Sequence, residues 1–193
     1  MIIYATKETI ERYKLKMPQD LRYPVNMLAQ SVIEKESGDR MLEWGAKLFY
    51  FDRRKCLQLV HFASKFTLFL IDIKMDDLKK IGNYISGYLI ELYKDDQQMQ
   101  SALERFFSES SMICFSRITD RSIIATLNHT QTAFAQDGYY FYGFIENGIL
   151  KTFDINRKMN FDWILTQKVN GKTECFMPGE KFKELLLQRY SEK

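Results

Sequence analysis

A chain of 193 residues, 46% hydrophobic and 27% charged, has the apolar content for one self-standing core and falls outside the disordered and fibrous classes. Its formal net charge of +3 and pI near 8.6 stop short of a nucleic-acid footprint read from charge alone, so nucleic acid is permitted but not favoured. Cys56, Cys114 and Cys175 draw neither a disulfide framework nor a paired zinc pattern, and no run approaches the ~18 apolar residues of a membrane span. The expectation is a single cytoplasmic domain over residues 1–193, with buried or half-buried thiols and no membrane partner.

In chain order, Ile2 to Ala5 reads as a strand, and Thr6 then caps a helix through Ile10 and Tyr13. Lys16 to Asp39 is broken by Pro18, Pro24 and Gly38 and reads as a connection, with room for a short amphipathic helix around Val25 to Ile33. Ala46–Phe51, Lys55–Ala63 and Phe66–Ile73 follow as an antiparallel meander, and the unbroken apolar text of the third predicts a central strand covered on both faces. Leu78, Ile81, Ile85, Leu89 and Leu92 recur at helical spacing, and Met99, Leu103 and Phe106 mark a second helix, the two forming a hairpin against the sheet.

Met112 to Ile118 reads as a strand, after which Thr119 and Asp120 open a helix carrying Ile123, Ile124, Leu127 and Phe134 and ending at Gly138. The remainder reads as two hairpins, Tyr139–Ile145 with Ile149–Phe153 and Trp163–Val169 with Lys172–Phe176, before a final helix after Pro178-Gly179. This pattern predicts an α+β fold with a mostly antiparallel sheet packed by amphipathic helices.

The stretch from Thr119 to His129 is where a ligand site would sit. Asp120 as N-cap accounts for one carboxylate structurally, whereas Thr119, Arg121, Ser122, Asn128 and His129 remain to meet an anion at the helix start. No glycine lies between Gly87 and Gly138, so neither a P-loop nor a dinucleotide fingerprint fits. Of the two histidines, His61 in its apolar strand reads as a packed core residue. His129 lies two turns, ~10 Å, from Ser122 on the same helix and cannot pair with it. The acidic pairs look like caps, so no metal and no cofactor are expected. Arg53, Arg54 and Lys55 form one compact basic turn near Trp44, Tyr50 and Phe51, which could stack on bases and contact phosphates of nucleic acid, but so short a charge run favours a solvated hairpin tip.

The opening Met1-Ile2-Ile3-x-Ala5-Thr6-Lys7 and the internal Thr119-x-Arg121-Ser122 with Asn128 resemble an uncharacterised bacterial family of unknown function. Trp44, the strand Thr67–Ile71 and Phe153-x-Ile155-Asn156 extend the resemblance over most of the chain, while Ala125 and His129 depart from the glycine and acidic residue often found there in that family. The resemblance implies no activity. Few histidines, no metal spacing and no nucleophile motif favour a non-catalytic binding or regulatory domain with an anionic ligand or protein partner. The alternatives are a hydrolase or transferase assembled from Arg121, Ser122, Asn128 and His129, and a nucleic-acid accessory protein using Arg53, Arg54 and Lys55.

Overall fold

The computed structural model describes residues 1–110, 112–133, 139–169 and 172–190. β1 (Ile2–Ala5) leads into α1 (Lys7–Tyr13), where Thr6 Oγ1 accepts from the Thr9 N–H at 3.3 Å as the sequence predicts. α2 (Val25–Glu36) is a full 12-residue helix in the segment expected to be mainly connection, and it buries Ala29 and Val32. The meander then runs as β2 (Glu43–Phe51), β3 (Arg54–His61) and β4 (Thr67–Leu70), joined antiparallel. α3 (Ile81–Leu92) and α4 (Gln97–Glu109) follow, then β5 (Cys114–Arg117) and α5 (Arg121–Gln131).

The five strands form one sheet in the order β4-β3-β2-β1-β5, and β1 pairs parallel with both β2 and β5. The fold is α+β, but its main sheet is mixed rather than mostly antiparallel. The reason lies in the connections: the chain reaches β2 only after α1 and α2, and β5 only after α3 and α4, and such helical crossovers return a strand in the same direction. β4, expected at the centre, is instead an edge strand.

Alternation along each strand separates two cores. On one face Trp44, Leu48, Leu57, Leu59 and Leu68 pack with Ile85, Leu89 and Leu103 from α3 and α4, joined by Phe182 and Leu186. Those last two belong to α8 (Pro178–Tyr190), the expected final helix. The opposite face carries three clusters: Phe49, Cys56 and Phe69; Val60 and Phe62 against Ile123 and Leu127 of α5; and Cys114 with Ala29 and Val32 of α2.

The first of these clusters explains why the C-terminal text misleads. Tyr139–Tyr142 is a short helix, α6, whose Phe141 is wholly buried among Phe49, Phe51 and Phe69. Only the two-residue strands β6 (Ile145–Glu146) and β7 (Ile149–Leu150) survive of the hairpin expected there. α7 (Thr152–Phe161) replaces the rest, sending Ile155 and Met159 into the same cluster. Its Asn156 and Asn160, one helical turn apart, close the β4 edge: Asn156 accepts from the Phe69 N–H at 2.7 Å and donates to the Phe69 carbonyl at 3.1 Å. Asn160 treats Thr67 the same way at 2.8 and 2.7 Å.

The second hairpin is present as β8 (Leu165–Val169) and β9 (Lys172–Phe176). Phe134, Gly138 and the Asn170-Gly171 pair lie outside the described residues. Cys56 and Cys114 are buried as expected, but Cys175, on β9, is exposed, because the β8–β9 arm pairs with itself away from the main sheet.

Candidate functional site

α5 lies close on the sheet because β2 offers it a glycine. A Cβ at Gly45 would stand 2.5 Å from Ile123 Cγ2, nearer than two carbons can approach, so only glycine admits the helix at this depth. Asp120 starts α5 by accepting from the Ile123 N–H at 2.9 Å, and its other oxygen receives Arg40 at 3.0 Å. Burial would raise the Asp120 carboxyl, yet the Ile123 N–H and the Arg40 guanidinium outweigh it and hold the group below the usual carboxylate range.

α5 then turns one face outward. Ser122, Ala125, Thr126 and His129, spaced three and four apart, form one wall of a groove of about 480 Å³ whose far wall is Ile164–Gln167 and Phe176. Lys65 lines it as well. This lysine occupies the turn between β3 and β4 with φ of 61°, a left-handed conformation unusual for a side chain of its type, and is only 4% exposed. Its ammonium donates to Ser122 Oγ at 3.4 Å, and among the described residues no carboxylate lies within ion-pairing distance of it. Burial, reinforced by the nearby Arg40 cation and only partly offset by Asp120, brings its pKa down to about 8.

The residues marked by sequence thus divide. Ser122 and His129 share the groove. Asn128 is turned to the sheet, where its Oδ1 accepts from Lys47 at 2.7 Å. Thr119 and Arg121 are exposed, and Arg121 has no hydrogen bond or ion pair among the described residues; the cation at the helix start is Arg40, 80 residues away in sequence from Asp120. The sequence does not mark Lys65 as a site residue. Ser64-Lys65 looks like an ordinary solvated turn, and only the fold brings it to a helix 57 residues later.

His61 is the packed residue expected. Nε2 donates to the Met41 carbonyl at 2.9 Å and Nδ1 accepts from Ser64 Oγ at 2.9 Å, while complete burial takes its pKa to about 4. In the basic turn, Asp52 and Arg53 both have positive φ, as a two-residue hairpin loop demands. Arg54 pairs with Asp72 at 3.2 Å, and Lys55 donates to the Arg12 carbonyl at 3.4 Å and lies over the Tyr13 ring. That leaves Arg53 as the member of the trio with no partner among the described residues. Among those residues no group of three or more His, Cys, Asp or Glu side chains is placed to hold a metal, and no helix is long and apolar enough to cross a membrane.

The family model described as Domain of unknown function (DUF6933) matches residues 2–181, and the chain belongs to that family. No curated protein and no solved structure matches it.

Proposed function

We propose that this DUF6933 domain is a non-catalytic binding domain and that the groove between α5 and the β8–β9 arm takes a small anionic ligand. The observation that carries the reading is Lys65: a buried ammonium whose one hydrogen-bond partner among the described residues is a hydroxyl at 3.4 Å, held at the wall of a groove. A buried charge is tolerated when paired, and an anion entering here supplies the missing partner. The start of α5 adds to the attraction, because the Arg121 and Ser122 N–H groups precede the first intrahelical bond, which the Ile124 N–H makes to the Asp120 carbonyl at 3.0 Å. Lys65, Arg40 and Arg121 together outweigh the single Asp120 carboxylate in charge.

Sulfate titration by calorimetry tests the reading, since sulfate keeps its charge across the relevant pH range. Saturable binding should weaken as pH rises through about 8, where Lys65 loses its proton, and should vanish in Lys65→Met. Equal sulfate affinity in parent and variant would end the proposal.

A second reading, acyl transfer through Ser122, is favoured by the same contact, because a lysine with a pKa of about 8 can act as base toward a neighbouring hydroxyl. Covalent labelling of Ser122 by a fluorophosphonate, lost in Lys65→Met, would establish it over simple binding; no labelling removes it.

A further inference from the structure

At the β5 edge of the sheet, apart from the α5 groove and sharing no lining residue with it, lies a second recess of a different kind. Its volume is about 490 Å³, within the range of about 300–1,000 Å³ typical of small-molecule sites. Leu15, Leu21, Ala29, Leu78, Ile113 and Phe115 are among the apolar side chains that line it. The charged residues of its lining are all lysines, Lys14, Lys16 and Lys79, with no carboxylate among them. Lys79 is held by Asp76 at 2.7 Å, whereas Lys14 and Lys16 are exposed and have no ion-pair partner among the described residues. The wall also includes Tyr13, 2% exposed, whose buried hydroxyl has no hydrogen-bond partner among the described residues.

From the joining of an apolar recess to a cationic rim we infer a second binding site, for an amphipathic monocarboxylate: an apolar chain or ring in the recess and its carboxylate against Lys14 and Lys16. The recess supplies burial for the body of such a ligand, at roughly 25 cal/mol per Å² of apolar surface removed from water. The lysines set the sign of its head. A cationic amphiphile meets the same wall with the wrong charge, and a neutral one gains burial alone. Val25 also lines the recess and is 42% exposed, so a larger side chain can be placed there to fill it without entering the core.

Dodecanoate is the probe, titrated into the full chain below its micelle concentration and followed by calorimetry, with dodecanol and dodecylammonium alongside. The expected result is saturable one-to-one binding of dodecanoate, weaker by about tenfold in the Lys14→Glu, Lys16→Glu double variant and absent in Val25→Trp. Dodecanol should bind more weakly and change little in the double variant. Circular dichroism melting of both variants at the parent temperature keeps the test free of misfolding. Were dodecylammonium to bind as tightly as dodecanoate, the lysine rim would have no role and the inference falls. It falls too if monomeric dodecanoate fails to bind while phosphatidylglycerol vesicles do, or if light scattering shows that a second copy of the chain already covers the recess. Sulfate binding at Lys65 is a separate measurement at a site with none of the same lining residues, so either site can fail without the other.

Discussion

Asn156 and Asn160 on α7 and Lys65 at the β3–β4 turn all bury polar groups against the same strand region, yet they do so on opposite terms. Each asparagine amide both accepts from and donates to one residue of β4, at 2.7 to 3.1 Å, so that the helix finishes the sheet as a neighbouring strand would. Lys65, two residues before Thr67, has among the described residues a single hydroxyl at 3.4 Å for a full charge. A buried polar group whose partners are complete stabilises the fold; one whose partners are missing is held in place by the fold and is available to a ligand. The difference separates architecture from site in a chain where family membership assigns no activity.

The comparison is broken most directly at the asparagines. Asn156→Ala strands the Phe69 N–H and carbonyl, each costing about 1–3 kcal/mol, and should lower the urea unfolding free energy by about 3 to 4 kcal/mol in all. A loss below about 0.5 kcal/mol would show that water replaces the amide and that the edge is not closed by α7.

His61 is the next case of a satisfied buried group, and it adds a pH dependence. With a folded pKa of about 4 against about 6.5 unfolded, the unfolded chain takes up a proton that the folded one declines. The stability due to neutral His61 is complete above pH 6.5 and is lost as pH falls toward 4, by at most about 3 kcal/mol. His61→Gln should flatten this part of the stability profile, measured by chemical unfolding at successive pH values.

Lys65 has the same sign of pH dependence in a higher window, and the contrast lies in its missing partner. Its folded pKa of about 8 lies below the unfolded 10.5, so between those values the unfolded chain again holds more protons and stability rises with pH. Lys65→Met should remove that rise and leave the protein more stable at neutral pH by about 1 kcal/mol, since an unpaired buried charge gives way to an apolar side chain of similar length. A destabilised variant would place Lys65 with the asparagines as architecture.

Much of the frame was legible: β1, the Thr6 and Asp120 caps, the meander, the α3–α4 pair and the packed His61 all follow from spacing and capping chemistry. α7 was not. Asn156 and Asn160 are wholly buried, and polar residues facing a sheet edge invert the apolar periodicity by which a helix is recognised. Strand-forming aromatics in Tyr139–Tyr142 hid a helical turn for a related reason, because the cavity that Phe141 fills is made by β2 and β4 rather than by its neighbours. Parallel pairing of β1 is a property of distant partners and leaves no local mark. In the site, Ser122 and His129 could be placed together because a helix fixes their spacing, whereas Lys65 is brought to them by the β3–β4 turn alone.

The smallest effect is expected where sequence reasoning placed most weight. Arg121 follows the N-cap, a position where a cation opposes the helix dipole unless a partner offsets it, and the structure gives that partner role to a different pair, Arg40 with Asp120. Arg40→Ala therefore removes a half-exposed ion pair and should cost about 0.2–1 kcal/mol. Arg121→Ala removes no contact seen among the described residues and relieves the dipole, so its melting temperature should match the parent or rise slightly, equivalent to about 0.3 kcal/mol. Sulfate affinity should stay within about twofold in Arg121→Ala, because an exposed charge is screened while the buried Lys65 is not. If Arg121→Ala proved more damaging than Arg40→Ala in either measurement, the division between a structural Arg40 clasp and a ligand-binding Lys65 would have to be redrawn around Arg121.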